Sequence, residues 1–184
     1  VQDWLTCRRL YYYKRIKKYE KTVYNLPFIV GRVVHEGLAA VLAKKSNAIE
    51  IMTAVYKKER KFAIDAFGLN PEQIEELDMQ EFTTKGMLLA YRTKYSKMIS
   101  DMKLLGSEVE GAIDLGNDVT FVIKLDNIVR VRNKKILHEL KTTKQITPDY
   151  VKRIQTDLQT AVYFHFHNII FEDSKIEEVM YDVI

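Results

Sequence analysis

The 184-residue chain has a single cysteine, Cys7, which cannot close an internal disulfide, so a reducing intracellular compartment is the expectation. One Cys also leaves structural zinc or an iron–sulfur cluster without enough ligands from this chain alone. No apolar run approaches the roughly 18 residues of a membrane-spanning helix. The opening Val1-Gln2-Asp3-Trp4 lacks the basic-then-apolar order of a secretory signal, and it lacks an initiating Met, so a fragment or processed chain is expected. Neither Gly-x-x-x-x-Gly-Lys-Ser/Thr nor Gly-x-Gly-x-x-Gly occurs, which leaves nucleoside-triphosphate and dinucleotide chemistry without a phosphate cradle. No nucleophile elbow supports a serine triad. His165 and His167 lie two apart on an expected helix and so point away from each other, which argues against zinc there. With seven Gly, three Pro and no linker-like tract, one domain over residues 1–184 is expected.

What is present is a foldable composition, 47% hydrophobic and 29% charged. The net charge of +4 is unevenly placed. Residues 1–21 carry seven cations against Asp3 and Glu20, a local +5, so the rest of the chain is close to neutral. One basic, aromatic arm on a neutral body points to a polyanion contacted at one place, or to a solvated helix face. Within it, Tyr11, Tyr12 and Tyr13 lie among Arg8, Arg9, Lys14 and Arg15. On a helix, three consecutive rings spread around most of the circumference, so some are expected in the core behind a basic outer edge.

Periodicity predicts helices over 4–19, 28–45 and 48–67, the last with Asn47 and Glu50 as a capping box. Asn70-Pro71 starts a long helix expected to reach about Met102. From Gly106 the period shortens. Glu108 to Leu115, Val119 to Val131 and Lys135 to Thr142 read as strands, separated by Gly116-Asn117 and Arg132-Asn133 turns. Thr147-Pro148 opens a helix to about Asn168, and a last strand covers 176–184. The order αααα–βββ–α–β implies an α/β fold: a mixed central sheet flanked by helices, with a helical N-terminal cap over about 1–105 and the α/β core over about 106–184.

The chemistry concentrates on two strands. Glu139 and Lys141 are two apart and share one face with Leu137, while His138 and Leu140 take the other. Asp126 lies in an apolar stretch of the preceding strand. Two carboxylates hold a hard divalent cation through oxygen. A lysine beside them orients or helps deprotonate an attacking water and offsets charge on a pentavalent phosphorus. The competing reading is an ordinary surface ion pair; Glu59-Arg60-Lys61 repeats the pattern on a helix, where it carries no such meaning.

An ordered series of motifs resembles the RecB-like exonuclease branch of the PD-(D/E)XK nuclease superfamily over residues 4–163. Trp4-x-x-Cys7-Arg8-Arg9-Leu-Tyr-Tyr-Tyr13 resembles its opening Cys-Pro-Arg-x-Tyr-Tyr helix, with Arg8 in place of the Pro. Gly31-x-x-x-His35-x-x-Leu38 resembles its His helix, and Val109-Glu110 its acidic strand. Leu125-Asp126-Asn127-Ile128 resembles Gly-x-Ile-Asp-x-Ile, with Lys124 and Leu125 where Gly is often found. Glu139-Leu-Lys141-Thr142-Thr143 resembles the Glu-x-Lys-Thr core, and Gln159-x-x-x-Tyr163 the helix that follows.

The resemblance implies a DNA nuclease dependent on Mg2+ or Mn2+, with Asp126 and Glu139 as central metal ligands and a further oxygen from the Leu140 carbonyl. His35 is a ligand from the cap, against the plainer reading of a hydrogen-bonded helix histidine. Lys141 is the catalytic lysine. Glu110 completes the metal shell, with Glu108 competing for that role. Gln159 and Tyr163 contact phosphate or brace Lys141, and Gln155 joins them as one stripe at i, i+4, i+8. Arg8, Arg9, Tyr12, Lys14 and Arg15 are the candidate nucleic-acid contacts. The branch's iron–sulfur members need three further cysteines near the C-terminus, which this chain lacks, so no cluster is expected. An end-dependent exonuclease with a helicase or recombination partner is the expectation by analogy. A catalytically silent nucleic-acid-binding or assembly module is the alternative, and an ion-paired scaffold a third reading.

Overall fold

The computed structural model of the chain describes residues 7–19, 24–143, 145–171 and 175–184. In order, the elements are α1 (Arg8–Tyr11), a π-helical turn (Tyr12–Ile16), α2 (Leu26–Leu42), α3 (Ala48–Phe67), α4 (Pro71–Lys94), α5 (Ser96–Asp101), β1 (Met102–Asp114), β2 (Thr120–Val131), β3 (Lys134–Lys141), α6 (Pro148–Gln155), α7 (Leu158–Ile170) and β4 (Glu178–Val183). β1, β2 and β3 form an antiparallel meander. After the α6–α7 crossover, β4 returns parallel to β3, so the sheet is mixed, in the order β1-β2-β3-β4. This is the architecture the sequence implies.

Strong local signals hold where they are complete. Asn70 accepts from the Gln73 N–H while the Gln73 side chain accepts from the Asn70 N–H, and Pro71 needs no donor at the first helical position. Asn47, by contrast, makes no side-chain cap; α3 begins there because Ala48, Met52 and Tyr56 are buried, not because Asn47 and Glu50 form a box. The long helix breaks at Tyr95, resumes as α5 and ends at Asp101, where Met102, Lys103 and Leu104 pair with Val131, Arg130 and Val129 and are drawn into β1. Long-range pairing thus outweighs the helical period there. Leu105 is then an extra residue that shifts the register between Leu104 and Gly106. A Cβ on Gly106 would lie 2.6 Å from Val109 Cγ2, so any larger residue there would have to displace the Val109 side chain.

The first residues of the N-terminal helix, 4–6, lie outside the described residues. Beyond them, Tyr12, Tyr13 and Ile16 are exposed and Tyr11 is half-buried, which corrects the expectation of rings in the core. The rings pack on one another and under cations instead. Tyr13 stacks on Tyr19 at 5.8 Å, Arg9 sits 5.8 Å from the Tyr13 centroid and Lys17 sits 5.7 Å from that of Tyr12.

The sheet separates two apolar clusters, and β3 contributes to both. Leu140 joins Val33, Leu38, Met52, Tyr56, Leu77 and Leu88 of the helical region. Leu137 joins Leu125, Ile128 and Ile176, against which Tyr163 and Phe164 of α7 pack. Full burial of each such Leu or Ile contributes about 1.5–3 kcal/mol. One polar group sits between strands and helices on the cap side. Fully buried His138 places Nε2 2.7 Å from Asp182 Oδ2, and the Tyr91 hydroxyl donates to the same oxygen, so β3, β4 and α4 meet at one carboxylate.

Burial pushes the Asp182 carboxyl up, but its hydrogen bonds to His138 and Tyr91 outweigh this and hold it below the usual range. A lowered carboxyl stabilises the fold above its unfolded pKa, and the contribution is lost as pH falls through the native value. Asp182→Ala is therefore expected to cost about 2 kcal/mol at pH 7, the loss expected when buried polar partners are stranded. Urea unfolding of parent and variant should show that gap narrowing as pH falls below the ordinary carboxylate range; a gap independent of pH would contradict the assignment.

Candidate active site

The irregularity that shapes the site is in β2. Leu125 and Ile128 are three apart yet bury in the same cluster, so side-chain alternation skips a step at Asp126-Asn127. On the neighbouring strand, Glu108 falls opposite Asp126 between the Ser107–Asn127 and Val109–Leu125 pairs, and it has a left-handed φ of 52°. On the other side the β2–β3 ladder ends at Asn127–His138. Beyond that rung, Asp126 Oδ2 accepts the Leu140 N–H at 3.0 Å, a side chain standing where a backbone carbonyl would have been.

His35 Nδ1 lies 3.6 Å from the same Asp126 oxygen. α2 delivers it by running close to the end of β3, where a Cβ on Gly31, one turn earlier, would already lie 3.4 Å from Thr142 Oγ1. His35, Ser107, Glu108, Asp126 and Leu140 line a niche of about 10 Å³, the size of one water or ion. Glu110 is absent from it. That residue pairs in register with Lys124, while the turned backbone at Glu108 brings the other acid inward; the Lys124 ammonium bridges to Glu108 and lies 3.8 Å from Glu110.

On β3, Glu139 and Lys141 share the face that alternation assigns them. Glu139 is 2% exposed; its Oε2 is 3.7 Å from Lys141 Nζ and its Oε1 is buried with no hydrogen-bond partner. Burial, and then the Asp126 charge, push the Glu139 carboxyl up to about 7 against the pull of Lys141. Burial also works against the Asp126 charge, but His35, the Leu140 N–H and Lys141 outweigh it and hold Asp126 low. For Lys141, burial disfavours the ammonium, yet Glu139, Asp157 and Asp126 overcome this and raise it above the ordinary lysine value. The site therefore holds one firm carboxylate, one carboxyl close to neutrality and one firm cation.

Gln159 and Tyr163 are one turn apart on α7, with Gln159 Nε2 donating to the Tyr163 hydroxyl at 3.1 Å, and the Tyr163 ring packs beneath the site on the Leu125–Leu137 cluster. Neither hydrogen-bonds to Lys141. The expected single stripe through Gln155 does not form, because the crossover breaks between Gln155 and Leu158. The residue at that break, Asp157, reaches Lys141 at 3.6 Å. Sequence reading missed it, although Asp before Leu158 is a helix-start signal; the polar run Gln155-Thr156 concealed the interruption.

Among the described residues no three of His, Cys, Asp and Glu converge closely enough to form a closed metal cage. The donors nevertheless suit a hard divalent ion that keeps several waters: two carboxylates, with a buried Glu139 oxygen lacking any partner. In EDTA, the parent should lose stability as pH rises from about 4.5 to about 7, because native Glu139 keeps its proton over that window and the unfolded chain does not. Glu139→Gln removes this loss, so the variant should be more stable by about 3 kcal/mol at pH 8 and equal at pH 4. Millimolar Mn2+ should then raise the parent's urea midpoint and leave the variant's unchanged. Equal midpoints at both pH values, or a response to Mn2+ in both proteins, would contradict the placement of Glu139.

Comparison with known proteins agrees with this geometry. Residues 1–167 match the family model of the PD-(D/E)XK nuclease superfamily. No curated protein matches the chain. A mixed four-stranded sheet flanked by helices, with Asp126, Glu139 and Lys141 gathered where β2 and β3 part, and a family match over most of its length place the chain in the PD-(D/E)XK nuclease superfamily, to which it belongs.

Proposed function

We propose that residues 1–184 form one divalent-metal-dependent deoxyribonuclease domain of the RecB-like branch, hydrolysing phosphodiester bonds from DNA ends. The observation that carries this reading is the buried Glu139 carboxyl with an unpartnered oxygen, beside ionised Asp126 and cationic Lys141. Asp126 and Glu139 would hold Mg2+ or Mn2+, with His35, the Leu140 carbonyl and an acid of β1 completing the shell. Glu108, which lines the niche, is better placed for that last role than Glu110. When bound, such an ion supplies Lewis-acid polarisation of the phosphate and lowers the pKa of coordinated water.

The protein's own groups do the rest. Lys141, held as an ammonium, orients the attacking water and offsets charge building on phosphorus; its raised pKa favours this electrostatic part over proton abstraction. Gln159 and Tyr163 shape the substrate side from α7. The exposed tyrosines and cations of the arm suit stacking on bases and contact with phosphates, through Arg8, Arg9, Tyr12, Lys14 and Arg15. No helix among the described residues is long and apolar enough to cross a membrane. An intracellular setting, with a helicase or recombination partner supplying ends, completes the reading.

The test is degradation of end-labelled linear DNA, single- and double-stranded, beside closed circles and RNA, in Mg2+, Mn2+ and EDTA. Metal-dependent loss of linear DNA, at least a hundredfold slower in Lys141→Ala, with circles spared, is the expected outcome. No cleavage of any substrate, with DNA binding intact, would replace this reading by a silent binding module. Separately, joint substitution of Arg8, Arg9, Lys14 and Arg15 by Ala should reduce the slope of log binding constant against log salt by about 3 on single strands. An unchanged slope would remove the arm from the interface.

A further inference from the structure

We infer that Asp157 is the positioning residue for Lys141, an anchor that stays in place when Glu139 is engaged. The inference rests on the catalytic reading of Lys141 given above. Asp157 exists as a cap only because the crossover is broken: α6 ends at Gln155, and Asp157, in extended conformation with ψ of 103°, starts α7. Its Oδ1 accepts the Gln159 N–H at 3.0 Å and its Oδ2 accepts the Thr160 hydroxyl at 3.2 Å. Thr160 is 3% exposed, so the hydrogen bond it donates is held away from solvent. The carboxylate is therefore fixed by its own helix, through one backbone donor and one buried side-chain donor. The oxygen so fixed lies 3.6 Å from Lys141 Nζ, as near as the Glu139 oxygen at 3.7 Å.

The two carboxylates are not equivalent. Glu139 has an unpartnered oxygen and is the acid a cation would draw on. Charge committed to a cation, or cancelled by a proton, no longer holds the ammonium. Asp157 makes its hydrogen bonds within its own helix and turns Oδ2 toward Lys141. Capping alone does not explain the choice of residue, because Ser, Thr or Asn cap as well. What aspartate adds is a negative charge at a fixed point, and that point faces the catalytic lysine. A one-ångström misplacement of such a group is enough to cost orders of magnitude in rate.

The test separates charge from capping. Asp157→Asn keeps the cap, so it should lose less stability than Asp157→Ala, while kcat falls about tenfold or more and KM for DNA stays unchanged. Asp157→Ala loses cap and charge and should lose both stability and kcat. A readout independent of turnover is the Cε 1H–13C resonance of Lys141 in metal-free protein, identified by its absence in Lys141→Arg. It should move and broaden in Asp157→Asn. Parental kcat in Asp157→Asn, a rise in KM alone, or an unmoved resonance would each overturn the inference while leaving the nuclease reading intact. A parent that cleaves nothing would refute the nuclease reading instead, and the resonance alone would then decide whether Asp157 anchors Lys141.

Discussion

The Asp126–Leu140 hydrogen bond is the constraint on which the site depends. A strand pair that continued past Asn127 and His138 would saturate the end of β3 with backbone partners. Asp126 ends the ladder without leaving the Leu140 N–H unsatisfied, since its carboxylate takes the place of the lost carbonyl. The same oxygen faces His35, so the helical region and the sheet are joined at the point where the strands part. Termination of pairing, ionisation of Asp126 and approach of the histidine helix thus share one cause.

Charge is distributed unequally around that point. Asp126 has donors on its exposed and buried sides and keeps its charge, whereas Glu139 has a neighbouring carboxylate and one empty oxygen and gives up much of its own. An apolar residue at 139 would pack better between Leu137 and the crossover helix. The fold tolerates a half-satisfied acid there because the two clusters on either side of β3 supply stability that the site does not. Local conflict with overall packing of this kind is typical of positions retained for chemistry.

Features resting on short-range rules were legible in the sequence. Asn70-Pro71, the Ala48–Phe67 helix and the shared face of Glu139 and Lys141 all follow from residues within a few positions of one another. The elements that escaped depend on partners distant in sequence. The strand looks as if it starts at Glu108 until Met102 to Leu104 are set alongside Val131 to Val129, and Glu108 looks equivalent to Glu110 until its backbone turns left-handed against Asp126. Asp157 was hidden for a related reason: the periodicity of its flanks continues across it, and only the lysine it faces gives the break a purpose. The arm's rings were misplaced because circumference was counted without allowing the rings to stack on one another at the surface.

The bulge at Leu105 has a consequence for how the two halves of the molecule are coupled. Below it, Met102 to Leu104 belong in register to the end of the sheet that receives α5; above it, Gly106 to Asp114 belong to the rungs that flank Asp126. One spare residue lets these two registers differ by one, so the strand acts as a slip joint. A change in the length or angle of α5 can be absorbed at Leu105-Gly106 without moving Ser107 or Glu108 against β2. Only the α5 connection has this slack, because α2 stays tied to the rungs that hold the acids through His35 and Asp126.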